Sequence, residues 1–198
     1  MYDWNEIYQS IPPWDVSYPQ PAFVRLVEGG EIKPGRVLDA GCGTGENALM
    51  LAKNGCTVTG IDLAKGAIGR AQAKAAERDL KVDFIVCDAL KMDENLGAAA
   101  FDTVIDSGLF HVMTDEERPI YVKQVHRVLK DGGKYFMMCF SDKEPGEWGP
   151  RRVSKLEIEQ ALTPWFKIEY IKDALFDTRV HGGKIKAYLV SAVKNKKV

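Results

Sequence analysis

The sequence lacks any segment suited to a membrane or to export. Its longest apolar stretch, Tyr135–Phe140, is far shorter than the ~18 apolar residues that a membrane-spanning helix requires. The N-terminal residues MYDWNEIYQS do not combine a basic segment with an apolar one, as a secretory signal would. We therefore expect a cytoplasmic protein without a membrane partner.

Cysteine is scarce, and its spacing argues against a cysteine-based metal site. The four cysteines form no CxxC or CxxH pair; they are Cys42, Cys56, Cys87 and Cys139. Each lies in or beside an apolar run, which is typical of reduced, buried cysteines in a cytosolic protein. We therefore expect no metal.

A surplus of positive charge is also missing. Lys and Arg total 27 against 28 Asp and Glu, a net charge of −1, whereas nucleic-acid binding usually requires a basic face. The 198 residues are 45% hydrophobic and 28% charged, which is typical of a globular chain. We therefore expect one domain over residues 1–198 and no nucleic-acid partner.

Residues 1–21 differ in composition from the rest of the chain. They are rich in large aromatic residues, namely Tyr2, Trp4, Tyr8, Trp14 and Tyr18. They also contain four prolines, Pro12, Pro13, Pro19 and Pro21. Prolines at this density exclude a long helix or a central strand. The segment is either a lid over a ligand site or an arm packed on the core for stability.

From residue 36 onward, strand patterns alternate with helix patterns. Strands are predicted at Arg36–Ala40, Thr57–Ile61, Val82–Val86, Phe101–Asp106 and Lys134–Phe140. Helices are predicted over Thr44–Lys53 and Ala64–Arg78, with two more opening at capping boxes that start at Thr114 and Ser154, and a turn at Asp131–Gly133. Two final strands, around Phe166–Tyr170 and Lys184–Ala192, have no clear helix between them, which predicts an antiparallel pair. This order indicates an α/β fold with a mostly parallel sheet covered on both faces, and ligands beyond the carboxyl ends of its strands.

The strongest motif is VLDAGCGTG at residues 37–45, where a strand runs into glycines and then into a helix. Glycines allow close approach of a ligand, and a helix start offers free N–H groups and a positive dipole end. Glu46 stands where the dinucleotide fingerprint has its third glycine. Asp39 disfavours a pyrophosphate and favours an ammonium or sulfonium group. The motif indicates a nucleoside ligand with a cationic or zwitterionic tail.

Two further acidic residues follow the next two strands. Asp62 lies about 20 residues past the glycine turn, where a carboxylate accepts from both ribose hydroxyls. Asp88 lies where it could accept from an exocyclic amine such as that of adenine. The alternatives are a helix cap for Asp62 and a plain turn residue for Asp88.

These segments together resemble a known enzyme family. VLDAGCGTGENALMLA, VTGIDLA, FIVCDAL and FDTVIDSGLFHVM are similar to the successive motifs of class I S-adenosylmethionine-dependent methyltransferases, over roughly Val37 to Phe140. The resemblance implies a Rossmann-like sheet of seven strands, mostly parallel, with an antiparallel last strand. It also implies S-adenosyl-L-methionine as the cofactor.

The resemblance implies roles for residues at each strand end. The methionine part would lie against Asp39, Gly41, Cys42, Gly43 and Gly45. The ribose would be held by Asp62 beside Leu63, and the adenine by Asp88 with Ala89. Asp106 and Ser107 would lie beside the methionine amine and the reacting centre.

A narrower resemblance lies at the N-terminus. Pro13-Trp14-Asp15 and Tyr18-Pro19-Gln20-Pro21 are similar to the arm of thiol, thiopurine and halide methyltransferases, which closes over the cofactor. Trp14 is thereby a candidate cofactor-binding residue. The run Gly45–Leu49 looks as much like the tellurite-resistance methyltransferases. Both groups imply a small-molecule acceptor.

Methyl transfer from a sulfonium is an in-line displacement that depends on alignment and needs no metal. A thiolate needs little help from a base, whereas an oxygen or nitrogen acceptor must lose its proton. His111 either orients or deprotonates an acceptor, or packs beneath its loop. Other candidates to contact the acceptor are Tyr18, Phe110, Trp148, Arg151 and Arg152. The alternatives are core packing for Phe110 and Trp148 and a solvated surface position for the two arginines.

We therefore expect an S-adenosylmethionine-dependent methyltransferase acting on a small molecule, with a thiol or other soft nucleophile favoured, as a monomer or homodimer. Three alternatives stay open. They are an oxygen or nitrogen acceptor, a cofactor-binding protein without catalysis, and an NAD(P)-binding enzyme. The spacing of the glycines and the acid at Asp88 speak against the last.

Overall fold

The computed structural model describes residues 3–195, apart from the side chain of His181, so Tyr2 of the aromatic segment lies outside the described residues. The strands are β1 (Arg36–Ala40), β2 (Thr57–Asp62), β3 (Val82–Val86), β4 (Phe101–Ser107), β5 (Leu129–Phe140), β6 (Phe166–Asp177) and β7 (Lys184–Lys194). The α-helices are α1 (Trp4–Ile7), α2 (Pro21–Glu28), α3 (Glu46–Lys53), α4 (Lys65–Glu77), α5 (Met92–Leu96), α6 (Glu117–Val128) and α7 (Lys155–Leu162). Short 3-10 turns occupy Ala89–Lys91, Phe110–Val112 and His181–Gly183. None of these helices is both long and apolar enough to span a bilayer.

The strands form one sheet in the order β3-β2-β1-β4-β5-β7-β6. Strands β1 to β5 are parallel to their neighbours, and β7 runs antiparallel to both β5 and β6. This confirms the predicted Rossmann-like sheet and its final antiparallel pair. The strand order reverses at β1, whose neighbours are β2 and β4, so a crevice opens at the carboxyl ends of these strands.

Helices cover both faces of the sheet because the central strands are apolar on both sides. On one face, Leu38, Val104 and Met137 form a buried cluster with Tyr121 of α6. On the other face, a second cluster joins sheet residues with side chains of α2 and α3; it includes Val37, Ile105, Phe136, Phe23 and Leu49. Parallel strands buried on both faces read as near-continuous apolar runs, as β1 does.

Several element boundaries differ from those predicted. Helix α3 begins at Glu46 rather than Thr44, because Gly45 before it has a left-handed backbone with φ of 87°. Helix α6 begins at Glu117, although Thr114 and Glu117 do exchange the two hydrogen bonds of a capping box. The predicted turn at Asp131–Gly133 lies inside β5, where the pairing with β4 shifts register. The capping box at Ser154 opens α7 as predicted.

Candidate active site

The glycine turn lies between β1 and α3, at the point where the strand order reverses. Gly43 and Gly45 have φ of 53° and 87°, which side chains rarely adopt. A Cβ added at Gly43 would lie 2.8 Å from the Tyr8 hydroxyl, and one at Gly45 would lie 2.6 Å from the Phe84 ring. A side chain at Gly43 or Gly45 would therefore clash with Tyr8 or Phe84. Glu46, in place of a third glycine, is buried and paired with Lys74 and Arg78 of α4.

Asp39 is a buried acid at the end of β1 that lacks a partner. Only 1% of the residue is exposed, and neither carboxyl oxygen accepts a hydrogen bond of normal geometry from a described residue. Burial raises its pKa to about 8, the charges of Asp106 and Asp62 raise it further, and the Ala48 amide opposes the shift. A buried carboxyl without a donor is unfavourable unless a ligand supplies one. A cationic group therefore fits here.

Asp62 ties the end of β2 to the glycine turn. One of its oxygens accepts from the Gly43 amide at 2.9 Å, and the other accepts from the Ala64 amide at 2.9 Å. Burial raises its pKa, and these backbone bonds oppose the shift. Leu63 beside it is 48% exposed, so its side chain is available for contact with a ligand.

Asp88 lies at the end of β3, one strand further from the centre of the sheet. It accepts from the Leu90 amide at 2.9 Å and caps the 3-10 turn that begins at Ala89. Asp88 is thus a turn residue, as the alternative predicted, and its contact with adenine stays a prediction. Asp39, Asp62 and Asp88 thus follow three neighbouring strands at the same edge of the sheet.

Asp106 at the end of β4 is fully buried, and protein donors surround it. Its carboxyl accepts from the hydroxyls of Tyr121 at 2.9 Å and Tyr135 at 3.0 Å, and from the amides of Leu109 and Phe110. Burial raises its pKa to about 6, against the effect of these bonds. Asp106 therefore holds the loop that follows β4, beside the half-buried Ser107. The sequence analysis missed both tyrosines, although a buried tyrosine hydroxyl generally needs a partner.

His111 lies on this loop and is 5% exposed. Its Nδ1 accepts a hydrogen bond from the Phe140 amide at 3.0 Å. Its ring packs against Phe140 with centroids 4.6 Å apart and lies 6.2 Å from Phe176. Burial lowers its pKa to about 3, and the charges of Arg118 and Arg152 add to this. The packed position agrees with the alternative in which the ring lies beneath its loop, and a role toward an acceptor stays a prediction.

His111 belongs to an aromatic cluster at the ends of β5 and β6. The other members are Phe140, Phe176 and Trp148. The ring centroid of Phe140 lies 5.9 Å from that of Trp148 and 5.5 Å from that of Phe176. Of the predicted acceptor contacts, Trp148 belongs to this cluster. Phe140 and Phe176 were missed because each reads as an ordinary apolar strand residue. The structure thus packs rings from the loop after β4, from β5, from the loop after β5 and from β6 against one another, with Phe140 edge to face against the other three.

The other predicted acceptor contacts are used differently. Phe110 is fully buried, with the Arg118 guanidinium 4.9 Å from its ring. Arg151 is bound to Asp115 and Glu157. Arg152 lies 4.9 Å from the Trp148 ring and donates to backbone carbonyls of the same loop, including those of Trp148 and Pro150. It therefore shapes the loop that carries Trp148.

The N-terminal segment crosses the glycine turn and is attached on both sides of it. On one side Arg70 of α4 donates to the Tyr8 carbonyl, and the Tyr8 hydroxyl accepts from Trp14 at 3.1 Å. Asp15 accepts from the Thr44 hydroxyl of the turn itself.

At its far end, the segment reaches the connection between β6 and β7. Tyr18 donates to the Asp177 carboxyl at 3.2 Å, and the Gln20 side chain donates to the Asp177 carbonyl and accepts from its amide, both at 2.8 Å. The segment therefore lies where the predicted lid would lie, and the lid remains a prediction.

A groove of about 520 Å³ lies to one side, between α2 and the β6–β7 hairpin. Its lining includes Arg25, Lys143, Asp173 and Lys186, and also Ser141, whose buried hydroxyl has no partner among the described residues. It does not include the acidic residues at the ends of β1 and β2. The groove is therefore distinct from the acidic strand ends.

Comparison with known proteins identifies similar sequences and structures. A family model described as a methyltransferase domain matches residues 37–133. The 2-heptyl-1-hydroxyquinolin-4(1H)-one methyltransferase of Mycobacteroides abscessus is 38% identical, over 82% of this chain and 72% of its own. The probable thiol methyltransferase 2 of Arabidopsis thaliana is 29% identical, over 81% of this chain and 71% of its own. A solved structure from work on the conversion of a disulfide bond into a thioacetal group during echinomycin biosynthesis has a TM-score of 0.84 and 34% identity, and the match covers 93% of this chain and 86% of that chain.

Proposed function

Since this chain belongs to the methyltransferase-domain family, we propose that it methylates a small-molecule acceptor through a thiolate or another ionised, soft nucleophile. The enzyme is a methyltransferase that depends on S-adenosylmethionine, which supplies a methyl group bound to a positively charged sulfur. The observation that carries the proposal is the unpartnered Asp39 carboxyl. It lies buried among other acids at the crevice, where a cationic ligand is the partner that it lacks.

In this proposal, each of the three acids at the strand ends contacts a different part of the cofactor. Asp39 faces the cationic tail, and the turn that contains Gly41, Gly43 and Gly45 lies beside that tail. Asp62 still has acceptor capacity for ribose hydroxyls, because each of its oxygens accepts one backbone hydrogen bond. Asp88 with Ala89 takes the adenine. The further contacts that we propose are Trp14, Cys42, Leu63, Asp106 and Ser107.

The acceptor class rests on two independent supports. The cluster of His111, Phe140, Phe176 and Trp148 is aromatic and suits an apolar or aromatic molecule. The two named relatives act, by their names, on a hydroxyquinolone and on thiols. A ring-bound hydroxyl and a thiol both ionise more readily than an aliphatic alcohol, so a soft anion is the chemistry that they share.

Equilibrium binding tests the cofactor assignment. Calorimetry with S-adenosylmethionine, S-adenosylhomocysteine and NADH should give binding of the two adenosyl compounds only. Asp62→Ala should weaken that binding by about 1.5–3 kcal/mol, or roughly 10- to 150-fold, because charged hydrogen bonds are lost. Asp102→Ala, at the opposite end of the sheet, is the matched control, since Asp102 contacts the Arg36 amide and Lys130. Equal effects of the two substitutions would contradict the role of Asp62.

Turnover tests the acceptor assignment. The protein should transfer a labelled methyl group to aryl thiols or hydroxylated heteroaromatic rings faster than to amines or alcohols. Amines or alcohols methylated preferentially would overturn the soft-nucleophile assignment. Tight donor binding without methylation of any acceptor would favour the non-catalytic alternative.

A further inference from the structure

We infer that His111 is a fixed hydrogen-bond donor that selects an acceptor already in its anionic form, and that it does not remove the acceptor's proton. This inference rests on the proposed function and narrows its substrate class. Its basis is the hydrogen bond from the Phe140 amide to Nδ1. A neutral imidazole carries one proton, and a nitrogen that accepts a hydrogen bond does not hold it. The proton therefore lies on Nε2.

The Nε2 atom of His111 has no acceptor among the described residues. The fully enclosed side-chain atoms without a partner are, among the described residues, the two Asp39 oxygens, one Arg118 nitrogen and the Ser141 hydroxyl. Nε2 of His111 is not among them, and no described residue is bonded to it, so this atom is not fully enclosed. Gly108 keeps the space beside it clear, because a Cβ added there would lie 3.2 Å from Nε2.

The charges around the imidazole favour an anion. Arg118 faces it from α6 and Arg152 from the loop after β5, and both act to keep the ring neutral. The facing residues of β5 and β6 are Phe140 and Phe176, which carry no charge. Arg118 is 6% exposed, and its ion pairs with Asp115 and Glu157 are long, at 3.8 and 3.6 Å. An anionic acceptor at Nε2 would therefore lie in a positive field that two guanidinium groups supply.

The reaction with such an acceptor requires no base. The lone pair of the acceptor anion forms the new bond to the methyl carbon while the carbon–sulfur bond breaks, and the electron pair of that bond stays on sulfur. No proton moves, and the opposite charges of the two reactants cancel. Exclusion of water from the site favours such a step, because its transition state carries less charge than the separated reactants do. The N–H group at Nε2 therefore strengthens the binding of the acceptor and favours its anionic form over its protonated form.

The chain offers a matched pair of variants. His111→Asn can still accept from the Phe140 amide through its side-chain oxygen, but it has no donor at the position of Nε2. His111→Gln reaches that position with an N–H donor but gives up the acceptor for Phe140. We expect His111→Asn to raise the acceptor KM at least about 10-fold, with the affinity for S-adenosylmethionine unchanged. We expect His111→Gln to retain a lower acceptor KM than His111→Asn.

Dependence on pH separates donor from base. With aryl thiols that ionise at different pH, the midpoint of kcat/KM against pH should follow the pKa of each acceptor. A limb near pH ~6.5, shared by all acceptors and lost in both variants, would identify His111 as a base and overturn the inference. An unchanged acceptor KM in a folded His111→Asn protein would also overturn it. Failure of the proposed function would differ, since the wild-type protein would then methylate no acceptor.

Nitrogen NMR of the wild-type protein tests the tautomer without any substitution. The chain has 3 histidines, so the ring signals can be assigned by removing one histidine at a time. We expect the His111 signals of a ring protonated at Nε2 only, constant between about pH 5 and pH 8. A ring protonated at Nδ1, or one that titrates within this range, would contradict the inference.

Discussion

The two halves of the candidate site have opposite electrostatic deficits. On the β1 side, Asp39 is a buried acid without a donor. On the β4–β5 side, Arg118 has one enclosed nitrogen without an acceptor, and no described residue accepts a hydrogen bond from Nε2 of His111. An enclosed polar group without a partner is unfavourable in the isolated protein and is stabilised by a ligand of the opposite charge. The comparison agrees with our proposal of a cationic cofactor on one side and an anionic acceptor on the other.

Asp106 differs from Asp39, although both are buried acids at neighbouring strand ends. Asp106 accepts from two tyrosine hydroxyls and two amides, whereas Asp39 accepts from none at normal geometry. The first acid is therefore structural in its present contacts, and the second has capacity reserved for a ligand. Substitutions at the two positions should have opposite effects on stability.

The largest expected effect is that of Asp106→Leu. The substitution leaves the hydroxyls of Tyr121 and Tyr135 and the amides of Leu109 and Phe110 without their acceptor. The free energy of unfolding should fall by about 4 kcal/mol, since each buried unpaired group costs ~1–3 kcal/mol. Urea denaturation measures this. Asp102→Asn, at a partly exposed ion pair with Lys130, should cost less than ~1 kcal/mol and serves as the control. Equal losses in the free energy of unfolding for the two variants would contradict a structural role that is special to Asp106.

The next effect is that of Asp39→Asn, which should act in the opposite direction on the ligand-free protein. Replacing a buried carboxyl that lacks a partner should leave the free energy of unfolding unchanged or raise it by about 1 kcal/mol, with the gain growing as the pH rises towards 8 and the carboxyl ionises. Affinity for S-adenosylmethionine should fall by about 1.5–3 kcal/mol, because the counter-charge is lost. Thermal unfolding with and without the ligand measures both. A destabilised variant with normal affinity would show that Asp39 is structural, as Asp106 is.

The dependence of stability on pH should separate the two halves further. The pKa of Asp39 is raised to about 8 by burial, so the folded protein holds a proton that the unfolded chain releases near pH ~4. Stability from this group is therefore full below pH ~4 and is lost as the pH rises to about 8. His111 has the opposite sign, because its pKa is lowered to about 3 and stability is lost as the pH falls below ~6.5.

Urea denaturation between pH 6 and 8 measures the Asp39 effect. In that range Asp39→Asn should remove a decline of up to about 1.4 kcal/mol per pH unit. The matched variant His111→Asn should instead remove the loss on the acid side. Parallel pH curves for the wild-type protein and both variants would contradict the assignment of the two slopes.

The smallest expected effects concern the adjacent arginines. Arg152→Lys should lower the free energy of unfolding by about 1–2 kcal/mol, since a lysine does not reproduce the fork of bonds to the loop carbonyls. Arg151→Lys, at an exposed ion pair, should change it by less than ~0.5 kcal/mol. Denaturation curves of the two variants give the comparison directly, and a larger effect at Arg151 would reverse it.

Much of the fold could be predicted because its determinants are local. Strands β1 and β3 have the predicted bounds, since each is a short run between clear end signals. The glycine turn with Asp39, and Asp62 and Asp88 after the next two strands, were predicted as a set because parallel strands end at one edge of the sheet. The shift within β5 at Asp131–Gly133 was not predicted, because it depends on pairing with β4.

The acceptor side was harder to predict because its contacts are not local. Tyr135 lies 29 positions from Asp106, and Phe140 lies 29 positions from His111. Nothing near His111 in the sequence indicates which of its nitrogens meets a backbone amide. Similarly, Arg152 reads as one half of an exposed basic pair, and only the folded loop shows that carbonyls surround it.

The opposite charges of the two halves also affect the release of products after the chemical step. The protein's own charges are the same before and after methyl transfer, whereas both ligands become one charge closer to neutral. In the proposed arrangement, Asp39 then faces a thioether in place of a sulfonium, and Nε2 of His111 faces an ether or thioether in place of an anion. The electrostatic attraction between the protein and each ligand would therefore decrease on methyl transfer. The same two groups that attract the reactants would thus also favour release of the products.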